Sequence, residues 1–424
     1  MGPFERRWRA ASRRHWSILI ACLAVVALGV RIAMGERPGP SVVVLPAPKP
    51  MTFETTAAEP EPAAGTEQAP PLDPGARGRE KVEVCGLGWV DADAQGDVDP
   101  SVVGRMPALR ATTERLLASL AASDDAFDRV VPVWLEALAP AGGDALERLA
   151  QAATTTADPR VYAIAFKACD KSPATPSCAL LSARRWAQLD GENGEPWLFV
   201  FDDAMKRNDR VQADEALFRF GAAPRIESRA FAAAGAIAAR AGGSDIALLA
   251  ANMLSGTAVA LGGADVGRLP LPAILGACRD AALADDSRRQ RCDAAAAAMT
   301  ERSDTLLYAG IGASIDRRLG WPAARVDALQ ALTTANLESW PNWEKLTSPW
   351  QQSCRHTSDI LGRIVQLRDA GEPGAARRWI AASGMTFDRY VARSVERRRQ
   401  EAEAFASAAK ELRAGAEAAS SSAR

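Results

Sequence analysis

Apolar residues recur every three to four positions along most of the chain beyond residue 108, in stretches separated by short polar turns. This period predicts amphipathic α-helices, because it places the apolar side chains on one face. In the first stretch, one stripe carries Leu109, Leu116, Leu117 and Leu120. The predicted helices are 108–122, 144–153, 158–169, 177–189, 195–207, 211–220, 226–241, 244–254, 271–284, 287–301, 305–319, 322–336, 359–370, 373–382 and a long one from 386 towards 419.

Helices of this length joined by short turns pack as antiparallel neighbours. Their number favours a stacked array of helical hairpins over a compact four-helix bundle. One segment at the start, 81–90, is rich in β-branched residues and reads as extended. The sequence therefore predicts an all-α domain, an array of antiparallel helical hairpins, over residues 81–385.

The last predicted helix has a different character from the others. Arginine and glutamate alternate along it, and its apolar face is weak after Val395. Its basic residues are Arg389, Arg393, Arg397, Arg398 and Arg399. Opposite charges on neighbouring turns are typical of a solvated helix. Residues 386–424 are therefore predicted to form a charged C-terminal helix and tail whose end projects from the domain.

One pair of predicted helices, in residues 186–225, resembles a tetratricopeptide repeat. The positions that match the signature of the family are Trp197, Asn208, Asp209, Ala213 and Pro224. The resemblance implies a TPR-like α-solenoid that binds a protein or peptide on its surface. Phe201 and Phe220 depart from the family pattern, which prefers small residues there, so these two helices would pack less closely.

The N-terminal part of the chain has another composition. A basic head, 1–15, precedes an apolar run, 16–34, in which no charge occurs from Trp16 to Val30. With Arg31 extending its guanidinium outward, the run approaches the ~30 Å of a bilayer core. Because basic residues stay on the cytoplasmic side, the sequence predicts a single-pass signal anchor in the bacterial inner membrane with the C-terminal domain in the periplasm.

Two alternatives for this segment stay open. A signal peptidase would cleave after the small residues of 27–29 or 33–35. Residues 19–22 resemble a lipobox, which would place a lipid on Cys22. Few apolar residues precede Cys22 and the apolar run continues past it, so an uncleaved anchor is the better interpretation. The following stretch, 35–80, is rich in proline and alanine and predicts a disordered linker.

Charge and amino-acid composition argue against some classes of protein and favour others. The chain has 51 basic and 52 acidic residues and a net charge of -1, which argues against nucleic-acid binding. Alanine is abundant and arginine greatly outnumbers lysine, which is typical of bacteria with GC-rich genomes. The sequence therefore favours a Gram-negative envelope protein.

Apart from Cys22, the cysteines form an even set of six, which predicts disulfides in an oxidising compartment. Two pairs flank predicted turns between helices, Cys169 with Cys178 and Cys278 with Cys292. Elimination leaves Cys85 with Cys354, although six cysteines allow fifteen connectivities. A zinc site is the competing interpretation. It is disfavoured because the cysteines are not closely spaced and the two histidines are His15, in the head, and His356.

One acidic stretch resembles the first nine positions of an EF-hand loop. Its oxygen-bearing side chains are Asp91, Asp93, Gln95, Asp97 and Asp99, with Gly96 in the sixth position. The twelfth position is Val102 instead of the bidentate glutamate, and an extended segment replaces the entering helix. The resemblance implies a weak calcium site. The alternative, which the missing ligand favours, is a solvated acidic turn before the first helix.

Three tryptophans, Trp340, Trp343 and Trp350, crowd into one proline-broken stretch. Exposed, they would form a platform for a peptide or sugar. Buried, they would fill the space between helices, which is the commoner role of large aromatics.

Motifs of nucleotide-binding, metal-dependent and serine-dependent enzymes do not occur in the sequence. The sequence thus predicts no cofactor other than the weak calcium site. It favours a membrane-anchored periplasmic scaffold that binds an envelope protein or peptide. The alternative is an all-helical envelope hydrolase that uses paired carboxylates in a cleft near the late tryptophans.

Overall fold

The structure is a computed structural model, and it describes residues 80–92, 107–139, 143–171, 175–266, 269–340 and 353–422. The predicted head, the membrane anchor and residues 35–79 of the predicted linker therefore lie outside the described residues, whereas Glu80 begins the first strand. Within those ranges the protein is mostly helical, as the apolar period predicts.

The described part opens with a β-hairpin rather than a single extended segment. Strand β1 (Glu80–Val84) pairs antiparallel with β2 (Gly88–Ala92), and Val84 stands opposite Gly88. The connecting turn places Gly86 at a φ of 77°, a conformation that other residues rarely adopt. Val84 is buried against Leu109 and Leu249, so the hairpin packs on the helices.

Fifteen α-helices follow within the described residues. They are α1 (Pro107–Ala121), α2 (Ala126–Ala137), α3 (Gly143–Thr155), α4 (Pro159–Lys171), α5 (Ala183–Leu189), α6 (Gly194–Lys206), α7 (Arg210–Ala222), α8 (Ala232–Ala238), α9 (Asp245–Val266), α10 (Leu271–Ala277), α11 (Asp286–Arg302), α12 (Leu306–Leu319), α13 (Ala323–Glu338), α14 (Cys354–Ala382) and α15 (Phe387–Ser422). Many begin at a side-chain cap, as where Asp125 accepts the N–H of Phe127 or Thr305 that of Tyr308.

Several predicted boundaries are wrong. The predicted helix 226–241 is helical only over α8, because residues 225–231 form a loop whose backbone pairs with other parts of the chain. Helix α2 is missed because Pro132 lies inside it. The predicted helices 177–189 and 271–284 are each interrupted by a short 3-10 turn. In contrast, 359–370 and 373–382 join into α14 across a kink at Gly371.

The helices form a consecutive array. Each helix from α1 to α7 packs against the next, α7 packs against α11, and α11 to α15 continue in order. Helices α8 and α9 depart from this sequence, because they pack against α1, α2 and α14. In a repeat solenoid each unit contacts only its neighbours, whereas here α8 and α9 connect the early and late helices.

The hydrophobic core has two main parts. One unites the helices up to α5 with α8, α9 and α14, and includes Trp134, Trp186 and Ile237. The other unites α5 to α7 with α10 to α12, and Phe201 and Phe220 are fully buried in it. The two phenylalanines that depart from the tetratricopeptide pattern therefore serve as core residues.

The described part of the chain contains three disulfides, and they join the pairs that the sequence predicts. They are Cys85–Cys354, Cys169–Cys178 and Cys278–Cys292. The first fastens the β-hairpin to the start of α14. The other two close short loops between neighbouring helices.

One helix of the described part, α9, contains a stretch long and apolar enough to cross a membrane, Asp245–Gly262. In the structure this helix packs against α1, α8 and α14. Its buried residues include Leu249, Ala250 and Ala251. This packing explains why α9 is apolar: it is a central helix of the core.

The C-terminal helix docks against α13 over part of its length. Tyr390 donates a hydrogen bond of 2.7 Å to Glu338, Arg397 pairs with the same carboxylate, and Arg398 pairs with Asp327. Two of the arginines predicted to face solvent, Arg397 and Arg398, therefore attach α15 to α13.

A buried acid on α12 gives the core a pH dependence. Asp316 is 1% exposed and accepts a hydrogen bond from Thr300. Burial raises the pKa of Asp316 to about 6, with a further contribution from the charge of Asp293, against the opposing hydrogen bond from Thr300. A carboxyl whose pKa is higher in the folded state binds its proton more tightly there, so the stability that it contributes is lost as the pH rises from 4 to 6.

We expect Asp316→Asn to raise the free energy of unfolding by about 1 to 3 kcal/mol at pH 7, because the amide avoids burying a charge. Below pH 4 the difference in stability between the two proteins should vanish, because the Asp316 carboxyl is then protonated in the folded and in the unfolded state. Urea unfolding at pH 3.5 and 7.5 measures this, with the exposed Asp144→Asn as control. A gain that is equal at both pH values would contradict the assignment.

Candidate functional site

A cavity of about 700 Å³ lies at one end of the helices. Its wall comes from five separate parts of the chain: the start of α2, the start of α4, the loop 225–231 with the first turn of α8, the turn between α11 and α12, and the kink of α14. Such a volume falls in the range of ligand-binding sites.

The side chain of Asn193 holds the loop 225–231 by hydrogen bonds. This fully buried residue caps α6 by accepting the N–H of Glu195. The same oxygen accepts the N–H of Glu227, and the side-chain amide donates to the carbonyl of Glu227 and to Asp190. One side chain thus satisfies both backbone groups of a loop residue, which fixes the path of the loop.

Asp304 holds the next part of the loop. Its carboxylate accepts the backbone N–H groups of Ser228 and Arg229 at 2.9 and 3.0 Å. Arg229 adopts a φ of 56°, which is unusual for a residue with a side chain. Strain of this kind persists where the surroundings impose it, and it clusters at functional sites. Burial raises the pKa of the Asp304 carboxyl, although the two backbone hydrogen bonds oppose the shift.

The kink of α14 completes the rim. Gly371 has a φ of 64°, and a Cβ at this position would approach the carbonyl oxygen of Asp304 to 2.5 Å. Only glycine therefore allows the close approach that lets Glu372 donate its N–H to that carbonyl at 2.7 Å. The Glu372 carboxylate in turn accepts hydrogen bonds from Leu306 and Asn336.

Charged side chains of both signs make up much of the cavity wall. The guanidinium groups are those of Arg160, Arg225, Arg229, Arg302 and Arg368. The acids that line the same wall are Asp125, Asp128, Glu227, Asp304 and Asp369. Formal charges therefore balance, and the distribution of hydrogen-bond donors and acceptors decides what the wall can bind.

The acids of the wall are engaged by protein groups. Asp125 caps α2 and binds Arg160, and these contacts lower its pKa although burial acts in the opposite direction. Asp128 pairs with Arg240, Glu227 with Arg225 and Arg229, and Asp369 with Arg368. These ion pairs use one oxygen each of Asp128, Glu227 and Asp369, whereas both oxygens of Asp125 and Asp304 accept hydrogen bonds.

A buried ion pair lies beneath the cavity. Lys167 donates to Glu195 at 2.8 Å and to the carbonyl of Ser228 at 2.7 Å. Tyr308 donates its hydroxyl proton to the same glutamate at 3.1 Å. Burial raises the pKa of Glu195 against the opposing charge of Lys167, and burial beside Glu195 raises that of Tyr308. This group connects the loop to α4, α6 and α12.

The residues predicted from the sequence are not brought together here. Asp91 lies in β2, whereas Asp93, Gln95, Asp97 and Asp99 fall outside the described residues. Trp340 is half-buried against the first core, and Trp343 and Trp350 are outside the described residues as well.

Among the described residues, one group of three has the arrangement of metal ligands: Cys85, Asp245 and Cys354. The two sulfurs of this group are bonded to each other in a disulfide. The group is accounted for by that bond.

Sequence reasoning missed the cavity because its arginines come from distant segments and belong to no motif. A local signal exists at the start of α6, where the cap residue Asn193 is followed by Gly194, Glu195 and Pro196, a sequence typical of a helix start. A second lies in Pro224, which separates α7 from the loop. Neither indicates that the loop meets α2, α4 and α14.

A second surface feature lies on the outside of α7. Val211 is 83% exposed and Phe218 57% exposed, seven positions apart on one face of the helix. Glu215 and Arg219 form an ion pair on the same helix. Val211 and Phe218 do not line the cavity, and this small apolar face serves below as a reference surface.

Comparison with protein families, curated proteins and solved structures finds no match for this chain.

Proposed function

We propose that the protein is a membrane-anchored periplasmic scaffold whose charged cavity binds a peptide segment of another envelope protein. The observation that carries the proposal is the cavity of about 700 Å³, whose loop 225–231 is held by buried hydrogen bonds from Asn193 and Asp304. A wall that is fixed before the ligand arrives loses little entropy on binding. The helical array would supply the rigid frame, in the manner of a TPR-like α-solenoid.

The place of the protein in the cell is part of the proposal. The predicted anchor 16–34 would hold it in the inner membrane, and the linker 35–80 would extend the helical domain into the periplasm. Three disulfides support an oxidising compartment. No cofactor and no nucleic acid enter the proposal, and calcium binding by residues 91–99 stays a separate hypothesis.

The hydrolase alternative has less support from the cavity. A general base or nucleophile needs a carboxylate with a free lone pair near the substrate. In Asp125 and Asp304 both carboxylate oxygens instead accept protein hydrogen bonds, and one oxygen of Glu227 pairs with two arginines. The wall is therefore better suited to binding than to proton transfer.

Site-specific photocrosslinking in living cells tests the proposal. A benzophenone amino acid replaces Phe231, which lines the cavity, or Phe218, which lies on the outer face of α7. We expect a defined adduct with one envelope protein from position 231, mapped to a short segment of the partner. An adduct from position 218 alone, or none from position 231 in protein that is present and folded, would contradict the proposal.

A further inference from the structure

The arginines of the cavity have N–H donors that no protein group accepts. A guanidinium group carries five N–H donors. Arg302 donates to the carbonyl oxygens of Ala223 and Gly221. Arg368 donates to Asp369 and to the carbonyl of Gly235. Each of these groups therefore keeps N–H donors beyond those two bonds.

Among the five arginines of the cavity wall, Arg229 gives the strongest evidence for a missing acceptor. Its Nη2 donates to Asp190 at 2.8 Å, whereas its Nη1 is buried and has no hydrogen-bond partner. A buried donor without an acceptor costs about 1 to 3 kcal/mol. The backbone of this residue is also held in the left-handed region by Asp304. The structure thus maintains two unfavourable features at a residue that lines the cavity.

We infer that the cavity selects a ligand that carries carboxylate groups, so that the partner segment of the proposed function is an acidic peptide. Such a ligand would supply acceptors for these arginine donors, and carboxylate matches the forked geometry of guanidinium. Arg229 and Arg302 would be the central contacts. A peptide is favoured because the alternating charges of the wall also offer carboxylates to its backbone N–H groups. The inference rests on the proposed function for the class of partner.

A charge placed inside the cavity tests the inference without removing an existing bond. Ala232 lines the cavity and is the first residue of α8, where the helix dipole favours a negative side chain. In Ala232→Glu the new carboxylate would occupy the spare arginine donors. Ala232→Gln is the matched control, because it has the same size and no charge.

The probe is a fluorescein-labelled pentapeptide of alternating alanine and glutamate, measured by fluorescence anisotropy with the full-length protein in mild detergent. Its counterpart carries glutamine in place of glutamate, and a C-terminally amidated form distinguishes side-chain from terminal carboxylates. We expect the glutamate peptide to bind about tenfold more tightly than the glutamine peptide, as one charge-assisted contact implies. Ala232→Glu should weaken its binding by about the same factor, whereas Ala232→Gln leaves it within about threefold.

The possible results distinguish the preference for carboxylates from the proposed binding function. Equal binding of the glutamate and glutamine peptides, or equal effects of the two substitutions, would overturn the preference for carboxylates and leave the crosslinking result standing. If inorganic phosphate displaces the glutamate peptide at lower concentration than acetate does, the ligand is a phosphorylated one and the acidic peptide is wrong. Failure of the crosslink at position 231 would instead overturn the binding function itself.

Discussion

Replacing Asn193 by alanine should lower the free energy of unfolding by about 3 to 5 kcal/mol, because several buried backbone groups lose their partner together. The side chain accepts the N–H groups of Glu195 and Glu227 and donates to the carbonyl of Glu227. The residue is fully buried, so water cannot replace these bonds. The substitution also removes the cap of α6. Urea unfolding followed by circular dichroism measures the loss.

The control for this prediction is a second asparagine. Asn208 lies in the exposed turn between α6 and α7 with a φ of 57°. Asn208→Gly should change stability by no more than about 0.5 kcal/mol, because glycine adopts that conformation easily. A cost below about 1 kcal/mol for Asn193→Ala would mean that the loop is held by other contacts. The same variant should also weaken binding in the cavity, since Glu227 belongs to its wall.

Removing the disulfide between Cys85 and Cys354 should cost about 4 to 5 kcal/mol, more than removing either of the other two. The bond closes a loop of 269 residues in sequence separation, against 9 for Cys169–Cys178 and 14 for Cys278–Cys292. A longer loop restricts the unfolded chain more strongly. The bond also holds the β-hairpin at the start of α14, and the Cys85 sulfur lies 3.3 Å from the carbonyl oxygen of Asp245 at the start of α9.

Double alanine variants of each pair test this order by urea unfolding. The Cys169–Cys178 pair is the matched control, with an expected cost of about 2 to 3 kcal/mol. Equal costs for the long and short loops would show that chain entropy does not determine the stabilisation. The mass of the intact protein, with and without reductant after alkylation, verifies that the six cysteines are paired in cells.

The helical class could be predicted because the apolar period depends on neighbouring residues. Helices α6 and α7 were predicted within a residue or two, since Trp197 to Phe220 carries both the period and the turn. The three cysteine pairs followed from their positions beside predicted turns and from elimination. The helices could be predicted because the information lies in neighbouring residues. The cysteine pairs could be predicted because two pairs lie beside turns and only one pairing is then left.

The cavity could not be predicted because its loop depends on distant residues. Glu227 binds Asn193 across 34 positions, and Ser228 binds Asp304 across 76. The local pattern from residue 226 favours a helix, but these tertiary hydrogen bonds impose a non-helical path until α8 begins. Helix α2 was missed for a related reason, since Pro132 is tolerated by packing that the sequence does not reveal.

The central claim is that the cavity, and not the outer surface of the helices, is where the protein binds its partner. Hydrogen–deuterium exchange of the full-length protein, with and without the synthetic segment mapped by crosslinking, tests it most directly. The account predicts slower exchange in residues 225–231 and 302–306, with no change in 211–218. Protection confined to 211–218, or none in the loop 225–231 at saturating peptide, would contradict it.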